Sequence, residues 1–168
     1  MNADGTNKHN LTRHDGAKIS DIDPRWSPNG RQIAYSSDPG GNRQIWVMHA
    51  NGAAPKQLTN APGSNRLPSW TVDGKSIVFQ SLDEGNLEIY EVGTDGSHLT
   101  NLTNNPAIDW SPAASPRSDA IVFTSDRDGS QNLYIRSRDG ELRRITNGPD
   151  PDYFASWSPD GNEIAFDR

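Results

Sequence analysis

Apolar residues in this chain come in short runs, each bracketed by glycine, proline, asparagine or aspartate. Ile33-Ala34-Tyr35, Ile77-Val78-Phe79, Ile121-Val122-Phe123 and Ile164-Ala165-Phe166 are four such runs. Ile45-Trp46-Val47-Met48, Ile89-Tyr90-Glu91-Val92 and Leu133-Tyr134-Ile135-Arg136 are three more. Successive side chains of a strand point to opposite faces, so consecutive apolar residues predict strands covered on both sides. No stretch keeps an apolar residue at every third or fourth place over a useful length, so no helix is expected. The pattern predicts an all-β chain of short strands.

The runs recur with a period. Trp26-Ser27-Pro28-Asn29-Gly30-Arg31-Gln32-Ile33-Ala34-Tyr35 returns from Trp70 to Phe79 and from Trp157 to Phe166. A worn copy runs from Ala114 to Phe123, so the copies start 44, 44 and 43 residues apart. A second anchor keeps the same phase: Asn51-Gly52, Asp95-Gly96 and Asp139-Gly140 follow the second set of runs. A third closes each unit: Leu11-Thr12, Leu58-Thr59, Leu102-Thr103 and Ile145-Thr146. Each unit reads as four strands, A to D. Ser-Pro-Asp-Gly joins A to B, a Gly/Asp-rich loop joins B to C, and an Asn-Gly or Asp-Gly hairpin joins C to D. Four-stranded units of about 44 residues match the blades of a β-propeller. A two-layer sandwich would not need so regular a spacing.

The repeats are expected at about 13–59, 60–103, 104–146, and 147–168 together with 1–12. Residues 8–12 are expected as a strand D, and 153–167 as strands A and B of the same blade. That blade would lack most of strand C and leave sheet edges unpaired, which points to a piece of a longer array or to a homo-oligomer completing a ring.

The motif Pro-x-Trp-Ser-Pro-Asp-Gly-x-x-Ile-Ala-Phe, carried by Pro24 to Tyr35, Pro68 to Phe79 and Ser156 to Phe166, resembles the TolB-type propeller repeat. The resemblance covers nearly the whole chain, and the Gly-His and Trp-Asp marks of the ordinary WD40 repeat are absent. It implies a ring of blades around a channel. In bacterial members of the family such a ring sits in the periplasm and docks the peptidoglycan-associated lipoprotein. Similar rings also stand beside prolyl-oligopeptidase-type serine hydrolase domains. The resemblance therefore implies a non-catalytic protein-binding scaffold, periplasmic or extracellular, with a non-catalytic peptidase propeller as the alternative. A propeller enzyme such as a sugar lyase ranks last, because it needs clustered histidines or metal ligands.

Composition narrows this further. Only 32% of residues are hydrophobic, with 15 Gly and 12 Pro. That balance alone would suit a disordered chain. The five Trp at regular places favour many tight turns between short strands instead. With no cysteine, disulfides and thiolate metal sites are excluded. A net charge of −6 speaks against nucleic-acid partners. No run approaches the roughly 18 apolar residues of a membrane helix. Met1-Asn2-Ala3-Asp4-Gly5 lacks the basic and apolar regions of a secretory signal, which fits a cytoplasmic protein or a trimmed N-terminus.

Candidate chemistry is sparse. His9, His14, His49 and His98 sit at unrelated phases of the repeat and read as solvated surface histidines. No Gly-x-Ser-x-Gly elbow is present. No catalytic residue and no cofactor is expected. Asn10-Leu11-Thr12 and Asn101-Leu102-Thr103 fit a glycosylation sequon but are explained by the Leu-Thr ending. Asp126-Arg127-Asp128-Gly129 alternates carboxylates as calcium loops do, with too few ligands. A more regular set is Asp21, Asn65, Asp109 and Asp152, one at the start of each strand A. If strand A is innermost, these oxygen-bearing side chains gather at one channel mouth. There they could hold a hard cation such as calcium or a basic partner group, or simply cap the strand as Asx turns. Arg25, Arg66, Trp110, Tyr153 and Phe154 lie beside them, and such residues anchor protein contacts. That mouth is the expected partner site. Finally, Ala114 replaces the repeat's Trp. Burying a Trp removes about 150–250 Å² from water, so blade three is expected to be the weakest unless Trp110 fills the gap.

Overall fold

The computed structural model describes residues 1–14, 18–83 and 85–168. Among these there is no helix, and the strands form four antiparallel sheets. Blade one is β1 (Asp21–Trp26), β2 (Gln32–Ser37), β3 (Gln44–His49) and β4 (Lys56–Gln57), paired in that order. Blade two is β5 (Asn65–Trp70), β6 (Ser76–Ser81), β7 (Glu88–Gly93) and β8 (Thr100–Asn101). Blade three is β9 (Asp109–Ala114), β10 (Ile121–Ser125), β11 (Asn132–Arg136) and β12 (Leu142–Arg144). Blade four has β13 (Tyr153–Trp157) and β14 (Ile164–Asp167) alone. The first strands of successive blades lie side by side, so strand A is innermost.

The turns form as their residues dictate. The Gly30, Gly74 and Gly161 backbones adopt φ of 68°, 68° and 73°, a conformation glycine reaches without a Cβ clash. The preceding carboxylate or amide caps the turn: Asp73 Oδ1 accepts the Lys75 N–H at 3.0 Å, and Asn29 Oδ1 that of Arg31 at 3.0 Å. Blade three has Ser118 at the glycine position. Its turn still closes from Ser115 to Ala120, with the Ser115 hydroxyl accepting the Arg117 and Ser118 N–H groups.

The core lies between blades. Ala34, Ile45, Val47 and Leu58 of blade one meet Trp70, Ile77, Phe79 and Val92 of blade two. Ile89 and Leu102 of blade two meet Phe123 and Tyr134, and Val122 and Leu133 of blade three meet Ala155, Trp157 and Ile164. Consecutive apolar residues thus face two different neighbours, as the sequence pattern requires.

One expectation is corrected. Residues 8–12 form no strand; Leu11 packs instead on Ile33, Tyr35 and Met48 of blade one. Strand D pairs only with strand C in the complete blades, and β14 has no strand C beside it. The recurring tryptophans are also not equivalent: Trp70 is 6% exposed but Trp26 is 60% exposed. The indoles of Trp70 and Trp157 each seat on the blade before their own.

Candidate functional site

Every strand A carries the same irregularity. Its ladder to strand B breaks between Ile22 and Arg25, Arg66 and Ser69, Trp110 and Ala113, and Tyr153 and Ser156. In each gap one non-glycine residue is left-handed: Asp23, Leu67, Ser111 and Phe154, at φ of 57°, 52°, 54° and 50°. A bulge leaves residues out of the ladder. Pro24, Pro68 and Pro112 follow, where a missing N–H costs no ladder bond. The bulges turn the channel-side residues of the inner strands out of register with their own sheets.

The regular set of Asx residues lies at the start of these strands, and three of the four join their blade to the one before. Asn65, Asp109 and Asp152 are all buried. Their backbone N–H groups donate to the carbonyls of Arg43, Leu87 and Gln131 in the preceding blade, at 2.8, 2.8 and 3.0 Å. Asn65 Nδ2 donates to Gln44 Oε1 at 2.8 Å and to Thr59 Oγ1 at 3.1 Å. Asp109 accepts two bonds at 2.9 Å from the Arg127 guanidinium and a third, at 2.7 Å, from Asn105. Arg127 in turn lies over the Phe123 and Tyr134 rings, 5.6 and 4.9 Å from their centres. Asp152 accepts from Arg168 Nε at 2.8 Å. That guanidinium holds the Asp152 carboxyl below the usual carboxylate range, against the opposing effect of burial. Asp21, in blade one, bonds His14 Nε2 at 2.6 Å.

The closing threonines belong to the same clasps. The hydroxyls of Thr59, Thr103 and Thr146 accept the N–H groups of Ile45, Ile89 and Leu133 at 2.9, 3.0 and 2.9 Å. The Thr59 hydroxyl donates to Gln44, and that of Thr103 to Glu88. The carboxylates of the Asp126–Asp128 loop are likewise committed. Asp126 accepts the Ile108 N–H at 2.8 Å, and Asp128 accepts the Tyr134 hydroxyl. Burial first, then the charge and hydrogen bond of Asp128, push the Tyr134 hydroxyl up to about 12. Among the described residues no three His, Asp or Glu side chains come together as a metal site. Asn65, Asp109 and Asp152 thus lie at successive blade junctions, while Asp21 pairs with His14 in blade one.

The aromatic residues do come together. Trp110 packs against Tyr153 and Phe154, each with ring centres 5.4 Å apart, and Tyr153 and Phe154 are 6.4 Å apart. Phe154, raised on its left-handed bulge, is 55% exposed. Below it a hollow of about 320 Å³ runs along the inner strands, lined by Arg25, Leu67, Pro112, Phe154 and Trp157 among others. Among the described residues lining it, Arg25 carries the one charge. Its guanidinium bonds the Pro24 carbonyl at 3.1 Å. Arg66 stands 3.7 Å from Asp23, an ion pair too long for a hydrogen bond. Trp110 is therefore committed to this cluster and does not fill the gap at Ala114. Pro112 and Ala155 also line the hollow and were not singled out by sequence, their one signal being their place on the innermost strand; Trp157, a repeat anchor in the sequence, lines it as well.

The family model for the TolB beta propeller domain matches residues 1–168. A protein described as Protein TolB homolog, from Protochlamydia amoebophila, is 49% identical over 39 residues, 23% of this chain and 8% of the homolog. An uncharacterized peptidase, YuxL of Bacillus subtilis, is 44% identical over 41 residues, 24% of this chain and 6% of the peptidase. Among solved structures, TolB from Acinetobacter baumannii superposes with a TM-score of 0.83 at 27% identity, over 98% of this chain and 41% of that one. The putative TolB from Agrobacterium tumefaciens gives 0.78 at 28% identity, over 86% and 52%. The chain thus spans less than a tenth of the curated relatives' length, and about half or less of these solved chains. With the repeat, the blade order and a match over all its residues, this chain belongs to the TolB beta propeller domain family.

Proposed function

We propose that this chain is a non-catalytic protein-docking propeller of the bacterial cell envelope, acting in the periplasm. Its partner seats at the channel mouth on Trp110, Tyr153, Phe154 and Arg25. The observation that carries this reading is the aromatic cluster, with Phe154 half-exposed beside a hollow that has one guanidinium on its wall. Trp, Tyr and Arg at a concave surface dominate binding energy in protein interfaces. Family membership supports a protein partner, and an envelope lipoprotein is the partner class we favour. The inter-blade clasps hold the strands rigid around the site, so little ordering entropy is lost on binding.

Titration calorimetry with a peptidoglycan-associated lipoprotein, freed of its lipid anchor, tests this. Phe154→Ala and Arg25→Ala are each expected to weaken binding about tenfold or more. His98→Ala, on an exposed outer turn, should leave the affinity unchanged. A folded chain that does not bind, or one whose affinity ignores Phe154 and Arg25, rejects the reading.

The similarity to a Bacillus peptidase favours a second reading, a propeller that filters substrates for a serine hydrolase domain. A Gly-x-Ser-x-Gly domain in the same polypeptide would favour it over the first.

A further inference from the structure

Two blade junctions in this chain are closed by an indole. Trp70 Nε1 donates to the Arg25 carbonyl and Trp157 Nε1 to the Ala113 carbonyl, both at 3.0 Å. The third junction, between blades two and three, has Ala114 at the place of the indole, and the matching carbonyl is that of Ser69. The Ala114 N–H reaches the Ser69 hydroxyl at 3.0 Å, but no ring fills the space. A hollow of about 330 Å³ opens there, lined by Trp26, Pro28, Ser69, Trp70, Val72, Ala114 and Pro116, with Arg25 at its side. The ring that sequence reasoning offered as a substitute, Trp110, lies against Tyr153 and Phe154 instead.

We propose that this hollow is a binding site for an indole ring supplied from outside the chain. The two filled junctions define the occupant. Each takes a planar, apolar bicycle whose N–H bonds a strand A carbonyl, and Ser69 holds the equivalent register position at the unfilled one. The space is sufficient: an apolar cavity of roughly 150 Å³ admits benzene. The walls are right for an aromatic ring, with the indoles of Trp70 and Trp26 and the rings of Pro28 and Pro116. The stabilisation a buried tryptophan side chain supplies corresponds to a Kd on the order of 1 mM. The inference does not rest on the docking reading, and the failure of either leaves the other standing.

The test is titration of the chain with indole, followed by heteronuclear NMR and thermal unfolding. Indole is expected to shift the resonances of Ala114, Val72 and the Trp70 indole N–H, and to raise Tm. 1-Methylindole, which has no N–H to give Ser69, should bind about 2–10 times more weakly. Ala114→Trp fills the hollow from within, so it should raise Tm by itself and abolish the effect of indole. If that variant does not fold, Ala114→Leu serves as a partial block and should weaken binding. N-acetyl-tryptophanamide distinguishes the source: its binding marks the site as open to a partner's tryptophan, whereas binding of free indole alone marks a small-molecule site. No shift at about ten times the expected Kd, shifts confined to other residues, equal binding of 1-methylindole, or undiminished binding to either Ala114 variant overturns the proposal.

Discussion

At the scale of single residues, the closing Leu-Thr of each repeat joins blades together. The Thr59 hydroxyl accepts the buried Ile45 N–H, donates to Gln44 and receives Asn65, so β3 of blade one and β5 of blade two converge on one oxygen. Thr59→Val keeps the shape and removes the oxygen. A buried N–H without a partner costs about 1–3 kcal/mol. Chemical denaturation should show a loss of that size; an unchanged midpoint would mean the hydroxyl is replaceable by water. The Thr itself was visible in the sequence as a periodic residue. Its role was not, because repeat spacing aligns Thr59 with Gln44 of its own blade and Asn65 of the next without showing that their side chains meet. The Asx set was visible in the same way, as one residue per strand A, and its fate was decided by burial. Asn65, Asp109 and Asp152 are sunk between blades and held by their own partners, while Phe154 and Arg25 remain open to solvent and Arg66 is half-buried.

At the scale of elements, the strand A tryptophans show how one motif takes different values by position. Trp70 is buried with its N–H bonded, whereas Trp26 is largely exposed. Trp70→Ala should cost about 3–5 kcal/mol, and Trp26→Ala should fall within about ±0.5 kcal/mol, as surface changes do. Urea unfolding of the two variants side by side checks this, and equal losses would contradict the blade order. The bulges of strand A escaped sequence reasoning altogether. Asp23, Leu67, Ser111 and Phe154 have no common chemistry, and only one of them is a residue type that favours a left-handed backbone. Such residues cost about 1–3 kcal/mol each and persist where the surroundings hold them. Here the neighbouring inner strands do so, and the result at Phe154 is an aromatic ring raised over the hollow.

At the scale of the whole molecule, three complete blades and a two-stranded fourth form an arc with polar clasps between blades and an acidic surface. Several carboxylates titrate below their ordinary range. Lys75 N–H and the Thr71 hydroxyl do this for Asp73, the Ser158 hydroxyl for Asp160, and Arg168 for Asp152. A carboxyl whose pKa is lower folded than unfolded stabilises the fold above its unfolded value, near 4, and the gain is lost as pH falls through the folded value. Stability should therefore hold steady from neutral pH down to about 4 and drop below it. Urea midpoints measured from pH 7 to pH 3 check this, and Asp152→Asn should flatten the drop. A stability that rises on acidification would contradict the clasps.

The sequence alone determined the period, the strands and the turns. All three are local: alternating faces set the strands, and Asp-Gly chemistry sets the turns within a few residues. It also determined that strands must be covered on both faces, because consecutive apolar residues leave no solvent side. Only the tertiary structure decided which neighbour covers each face, and therefore that Trp26 is bare, that Ala114 leaves a hollow, that the Asx residues clasp blades together, and that Trp110, Tyr153 and Phe154 share one cluster. Those outcomes depend on contacts between blades, many of them between residues more than 40 positions apart, which repeat spacing aligns but side-chain packing settles.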